Sequence, residues 1–298
     1  PPPPPPPPHF FTNHTTENPI LSGLVGSEMC IRDSLNRAVP RVIAIANQKG
    51  GVGKTTTAVN LAANLAAAEW STLLVDLDPQ GNATSGLGVT VDDDTPSSYE
   101  VLLGDTPVSD AAQTVYFDSL ELVPSARRLV GAEVELVGSD QREFQLKRSL
   151  EVAREQYDFI LIDCAPSLGL LTVNALAAAD STLIPIQCEY YALEGLTDLL
   201  DTIGRVRAAV NPGLAVEGIL LTMADERTNL SRQVEAEVRA HLDELVFDTV
   251  IPRNVRLGEA PSFGKPIILY DLRSAGAQSY LSLMRDVVNH GTEGARTG

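Results

Sequence analysis

The stretch from Arg41 to Ala68 limits the possible folds more than any other part of the chain. Arg41-Val-Ile-Ala-Ile-Ala-Asn47 is a short continuous apolar run, as expected of a strand buried on both faces of a parallel sheet. Gln48-Lys49-Gly50-Gly51-Val52-Gly53-Lys54-Thr55-Thr56 follows at once. Thr57 to Ala68 is then rich in strong helix formers and breaks near Trp70-Ser71. Strand, glycine-rich loop and helix in this order are the setting in which a phosphate-binding loop is credible. Gly50, Gly51 and Gly53 let the backbone turn tightly, with its N–H groups aimed at phosphate oxygens. The helix N-terminus adds the positive end of its dipole. Lys54 is placed to reach the β- and γ-phosphates of a nucleotide, and the Thr55 hydroxyl to ligate Mg²⁺. Residues 50–56, Val52 and Thr56 included, are therefore expected to bind ATP. The plainer reading is a glycine turn that leads into a helix and carries a solvated lysine.

Two further apolar runs end in carboxylates. Ser71-Thr-Leu-Leu-Val-Asp76-Leu-Asp78 reads as a second buried strand, and Tyr157-Asp-Phe-Ile-Leu-Ile-Asp163 as a third. Ligands of open α/β sheets bind outside the carboxyl ends of the strands, so Asp163 and Asp78 are expected on the same edge as the phosphate loop. The rest alternates: helix from Leu170 to Ala179, strand from Asp180 to Ile186, helix from Leu193 to Val210, strand from Val216 to Thr222 and helix from Leu230 to Leu242. Strand-like segments at Val246 to Ile251 and Pro266 to Leu269 precede a closing helix from Ala275 to Val288. Between Thr84 and Val137 the pattern is weaker, with Asp92-Asp93-Asp94 read as a solvated loop. The expected fold is α/β: a doubly wound, mostly parallel sheet with helices on both faces. No internal repeat or Gly/Ser linker divides residues 39–290, which are read as one domain followed by a flexible tail at 291–298.

The early lysine narrows the reading. Lys49-Gly-Gly-Val-Gly-Lys-Thr-Thr56 resembles the deviant Walker A box of the ParA/MinD superfamily of dimeric P-loop ATPases. The resemblance to the Soj-type ParA branch covers about residues 41 to 289 and includes Gln187-Cys-Glu-Tyr-Tyr-Ala-Leu-Glu-Gly195 and Val250-Ile-Pro-Arg-Asn-Val-Arg-Leu-Gly-Glu-Ala-Pro261. It implies that Lys49 crosses a dimer interface to the partner's ATP while Lys54 serves its own. Such a cation completes the stabilisation of developing charge only when two loaded protomers meet. It further implies that Asp78, in Asp76-Leu-Asp-Pro-Gln-Gly-Asn82, positions the attacking water while Asp76 supports the site. By the same resemblance Asp163 holds Mg²⁺ through water, and residues 164–167 sense the γ-phosphate. Those four read Cys-Ala-Pro-Ser where the family often has Cys-Pro-Pro-Ser. Met223, Pro252 and Asn254 are implied near the adenine.

The function so implied is a Mg²⁺-dependent ATPase that forms ADP and phosphate. It closes as a homodimer on ATP, binds DNA without sequence preference, and is stimulated by a ParB-type partner to segregate chromosome or plasmid DNA in the cytoplasm, on the nucleoid. The formal charge of −17 opposes indiscriminate attraction to nucleic acid, so DNA contact requires a local basic strip. Arg205 and Arg227 are taken as its DNA-binding residues; Arg207, Arg232, Arg239, Arg253, Arg256 and Lys265 are further basic positions. Gly204 departs from the basic pattern, and each arginine has the plainer role of a solvated partner to acids such as Asp201 and Glu226.

Other classes fit less well. A MinD-like membrane ATPase would need a C-terminal amphipathic helix with a basic face, which Asn289 to Gly298 does not offer. No apolar run approaches the ~18 residues of a membrane span, and no secretory signal pattern opens the chain. Three cysteines, Cys30, Cys164 and Cys188, make neither a disulfide framework nor a zinc motif, and fit a reducing cytoplasm. Cys164 is read as inert packing, and the cluster-bridging cysteines of a nitrogenase-reductase-like carrier are missing. A long plasmid-type ParA would carry a helix-turn-helix ahead of the phosphate loop, for which about ten credible residues leave no room. A ParA-like positioner of another cargo remains the alternative, because the partner protein selects the cargo.

Residues 1–38 are excluded from the fold. Eight prolines form at most a polyproline II segment with no core to join. Glu28-Met-Cys-Ile-Arg-Asp-Ser34 looks like a translated sequencing adaptor, so the segment is read as an assembly artefact.

Overall fold

Eight strands make one sheet in the order β3-β4-β2-β5-β1-β6-β7-β8. The computed structural model describes residues 39–189, 192–225 and 227–294. The segment read as an artefact lies outside the described residues, as do residues 295–298 of the expected tail. In chain order the strands are β1 (Arg41–Ile45), β2 (Thr72–Leu77), β3 (Gln113–Thr114), β4 (Leu120–Val123), β5 (Phe159–Cys164), β6 (Ser181–Gln187), β7 (Ala215–Ala224) and β8 (Val246–Pro252). Every pairing is parallel except that of β3 with β4.

The helices that matter below are α1 (Lys54–Ala67), α2 (Asn82–Gly86), α3 (Ser98–Leu103), α4 (Leu129–Glu135), α5 (Gln145–Ala153), α6 (Leu170–Ala178), α7 (Ala192–Ala209), α8 (Asn229–Leu242), α9 (Val255–Glu259) and α10 (Ala275–Gly294). Alternation along β1 divides them between two faces. Val42, Ala44 and Ala46 join a core with Leu102, Leu146, Leu171, Leu199 and Val238 from α3, α5, α6, α7 and α8. Ile43 and Ile45 are equally buried but point the other way, where α1 packs on the sheet and against α10. Thr57 on α1 and Tyr280 on α10 share a buried hydroxyl–hydroxyl bond of 3.2 Å there. Strands covered on both sides explain why the sequence shows continuous apolar runs rather than alternation.

Three sequence expectations change. Pro266 to Leu269 does not form a strand; Ile267–Tyr270 is a short helix. The Ile267 amide is taken by Asn60 Oδ1 at 2.7 Å, and Tyr270 N donates to Pro266 O at 3.1 Å, which closes a helical turn instead of a ladder. The weakly patterned region holds the edge of the sheet: β4 lies beside β2, and the two-residue β3 turns back on it. The closing helix runs on to Gly294, four residues into the segment expected to be a tail.

Register places the site. Asp163 of β5 stands opposite Ile45 of β1 on one side and opposite Asp76 of β2 on the other. Three neighbouring strands therefore end level, with two carboxylates side by side at the point where β1 gives way to the glycine loop.

Candidate nucleotide site

The glycine loop folds as its composition requires. Gly51 and Gly53 have φ of +77° and +93°, in the left-handed region that an L side chain rarely adopts. Gly53 is the N-cap of α1, and no side chain caps the helix. The first-turn amides are thus left to whatever occupies the space in front of them, and an anion is what such a terminus attracts. The Val52 side chain is buried and its carbonyl accepts 2.8 Å from Thr222 Oγ1, which also donates to Ile186 O at 3.0 Å. Val52 lies off the cleft wall and fastens the loop to β7.

In front of α1 lies a cleft of about 390 Å³. Gly50, Gly51, Gly53, Lys54, Thr55 and Thr56 line one side, with Asp78 and Met223 at the margins. Lys54 is only 6% exposed, and its Nζ donates 2.9 Å to Lys49 O, back across the loop. Burial pulls its pKa down, and the charges of Asp163 and Asp78 partly restore it. Lys49 lies outside the cleft, and its ammonium pairs with Glu189 at the end of β6.

The acids divide by partner. Asp76, fully buried, accepts from Thr84 N (2.8 Å), Thr84 Oγ1 (2.7 Å) and Asp78 N (3.2 Å). Burial pushes its pKa up to about 6 against the pull of those bonds. Asp78 reaches the cleft; its Oδ1 accepts from Gln80 N at 3.0 Å, and its carbonyl from Ser125 Oγ at 2.7 Å. Asp163 is fully buried behind the cleft wall, and neither carboxylate oxygen has a hydrogen-bond partner. Burial first, and the neighbouring Asp76 charge second, raise its pKa well above the usual carboxylate range; Thr55 and Lys54 act the other way. Cys164 beside it is buried, with its thiol pKa also raised by burial, as expected of inert packing.

Other predicted positions fall elsewhere. Met223 does line the cleft and holds φ of +51°, unusual for a side chain of its size. Pro252 pairs with Ala224 at the end of the sheet, and Asn254 Oδ1 caps α9 by accepting from Arg256 N at 2.8 Å; neither lines the cleft. Arg205 is exposed on α7 with no ion pair among the described residues. Arg227 is held by Asp225 through two bonds of 2.8 and 2.7 Å, which lower the Asp225 pKa to about 2.

The far wall was not expected from the sequence. It comprises Asn60, Asn82, Ser85, Ala260, Pro261 and Lys265. Two glycines fasten it: a Cβ at Gly264 would lie 2.7 Å from the Gly88 Cα, and one at Gly88 would lie 3.2 Å from Gly264 O. The Tyr116 hydroxyl donates to that same carbonyl. The recurrence of Gly88 and Gly264 beyond α2 and α9 was the only available signal.

An "AAA domain" family model matches residues 40–216. The chromosome partitioning protein ParA of Myxococcus xanthus is 58% identical over 254 residues, 85% of this chain and 90% of that protein. The chain belongs to the ParA/Soj family of chromosome-partitioning ATPases. The sporulation initiation inhibitor protein Soj of Bacillus subtilis is 56% identical over 251 residues, 84% of this chain and 99% of its own. Among solved structures, one described as a Mycobacterium smegmatis cobyrinic acid a,c-diamide synthase with bound ADP and magnesium superposes with a TM-score of 0.74. Its identity is 40%, over 85% of this chain and 96% of that one. The cell division ATPase MinD of Pyrococcus furiosus has a TM-score of 0.70 at 26% identity, over 84% and 99%. This ParA/Soj-family chain shares with them a P-loop at the centre of a parallel sheet. No helix among its described residues is long and apolar enough to cross a membrane.

Proposed function

We propose that the cleft binds ATP with Mg²⁺ and hydrolyses it, and that two loaded subunits close face to face into a homodimer that binds DNA. The observation that carries the reading is Asp163. A buried carboxylate with no well-formed hydrogen bond on either oxygen, on which only the Thr55 hydroxyl and the Lys54 charge act favourably, is costly unless something more satisfies it, and that lysine opens an uncapped helix. Mg²⁺ takes one or two protein oxygens and completes its shell with water and phosphate. Thr55 and Asp163, the latter through water, would hold it, and it would neutralise charge on the β- and γ-phosphates.

In this reading the amides of residues 50–56 cradle the phosphates and Lys54 swings from Lys49 O to the transferred group. Asp78 orients the attacking water, and Lys49 of a second copy supplies the last cation. Met223 borders the adenine, while Pro252 and Asn254 set the loop beyond it. Arg205 and Arg227 contact DNA phosphates when doubled by the dimer, and a ParB-type partner accelerates turnover so that the cycle segregates DNA on the nucleoid. The relatives' identity and their structures with ADP, an ATP analogue and magnesium support nucleotide and metal binding.

Purified protein assayed for phosphate release with Mg²⁺, DNA and a ParB-type protein from the same organism tests the whole reading. Turnover that rises with both additions, and ATP-dependent DNA retention that weakens with salt, are expected. A monomer with a non-hydrolysable ATP analogue, or salt-independent retention, would reject it.

A further inference from the structure

Three loops that border the cleft are each fastened by a buried hydroxyl. Thr222 Oγ1 on β7 donates to Val52 O in the glycine loop. Thr172 Oγ1 on α6 donates 2.6 Å to Ser167 O. Ser125, in the loop between β4 and α4, donates from Oγ 2.7 Å to Asp78 O. All three side chains are buried, and the last holds the backbone of the residue proposed to orient water.

Asp78 stands just past the last ladder pair of β2, Leu77 with Cys164. Its amide donates 3.2 Å to Asp76 Oδ1, its Oδ1 accepts from Gln80 N, and its carbonyl accepts from Gly81 N at 2.9 Å as well as from Ser125 Oγ. Of these four bonds only the one from Ser125 comes from outside residues 76–81; the others travel with the turn. Ser125 is itself fixed. Its amide donates 2.9 Å to Thr84 Oγ1, which donates 2.7 Å to Asp76 Oδ2, and the Pro124 carbonyl before it accepts from Ser98 N at 2.8 Å at the start of α3.

We propose that Ser125 is a positioning residue for hydrolysis: its hydroxyl ties the Asp78 backbone to the β4 end so that the carboxylate stays aimed at the attacking water. The inference rests on the role proposed above for Asp78. The fold does not need this hydroxyl, which separates the role from a structural one. Without it the Asp78 carbonyl keeps Gly81 N, so no buried acceptor is orphaned, and the Ser125 amide keeps Thr84 Oγ1. What goes is the restraint, and a reacting group displaced by about 1 Å can lose on the order of 10² in rate. Ser125 also borders a second cavity of about 470 Å³, beside Gln80 and Thr84, so the extra methyl of a threonine has space.

The test follows phosphate release by the full chain across a range of Mg²⁺–ATP concentrations. Ser125→Ala should lower kcat about ten- to a hundredfold, with KM, ATP-analogue dimerisation and the urea midpoint little changed. Ser125→Thr should restore turnover, and Ser125→Val, close to it in volume but without the hydroxyl, should not. That pair reads the hydroxyl even if the smaller alanine unsettles the loop. Asp78→Ala combined with Ser125→Ala should be no slower than Asp78→Ala alone, because residues that act through one group are not additive. Turnover that survives both Ser125→Ala and Ser125→Val, or a double variant slowed by the product of the two single effects, overturns the role of Ser125 alone. Normal turnover in Asp78→Ala removes the role proposed for Asp78 and this inference with it.

Discussion

Lys49 and Glu189 form an ion pair within one subunit, between the phosphate loop and the end of β6. The lysine proposed to serve a second copy's nucleotide is thus engaged at home while the subunit is alone. Glu189→Gln should release it. A half-exposed pair contributes about 0.2–1 kcal/mol, and a homodimer loses one in each subunit, so the protein concentration for half-dimerisation with an ATP analogue should fall roughly two- to thirtyfold. Sedimentation velocity reads this; an unchanged midpoint would show that the pair does not compete with dimerisation.

Asp78→Ala should leave nucleotide binding and dimerisation intact and reduce turnover about 10²- to 10⁴-fold, the usual scale for loss of a proton-handling carboxylate. Lys54→Ala should instead lose nucleotide affinity. Isothermal titration beside phosphate release separates the two, and equal loss of binding in both would refute the assignment of Asp78.

Gly53→Ala places a methyl where φ is +93°. The nearest atoms are Thr222 side-chain atoms at 3.8 Å, so the cost is conformational rather than steric. Stability should drop by about 1–2 kcal/mol, measured by urea unfolding, with nucleotide affinity reduced as well.

Asp76 and Asp163 both have raised pKa values in the folded chain. The folded state therefore holds protons on these two carboxyls that the unfolded state has released, and their contribution to the stability of the nucleotide-free protein grows as pH falls from about 6 toward 4, against the opposite trend of Asp225 and Glu100. For Asp76 alone the gain is on the order of 3 kcal/mol. Denaturant midpoints across that window should show it, and Asp76→Asn should flatten the slope.

Arg227 is neutralised by Asp225. Asp225→Asn should strengthen ATP-dependent DNA retention. Arg205→Ala should weaken it and reduce the magnitude of the slope of log K against log salt by about 0.9 for each DNA phosphate that is no longer neutralised. Filter binding at several salt concentrations checks both, and a slope indifferent to Arg205 would remove it from the DNA face.

The phosphate loop and the positions of the central strands along the chain were legible because burial on both faces writes uninterrupted apolar runs, and left-handed turns need glycine at Gly51 and Gly53. Asp78 and Asp163 were legible as strand ends. What was hidden depended on partners distant in sequence. Pro266 to Leu269 looks extended until Asn60 captures the Ile267 amide, and Asn254 looks available until it caps α9. Lys49 looks solvated until Glu189 folds beside it. β4, four residues long, is too short for a periodic signal and is defined by its neighbour β2.

The seam between Gly88 and Gly264 bears on how the cleft can open. Hydrogen is the only substituent that position 264 tolerates, and Tyr116 bolts the same carbonyl from outside. Backbone contact and one hydrogen bond therefore hold the two sides together there, and a bulkier residue at either glycine would push them apart. If the proposed homodimer covers the phosphate-loop side, a closed pair would keep its nucleotide until it separates.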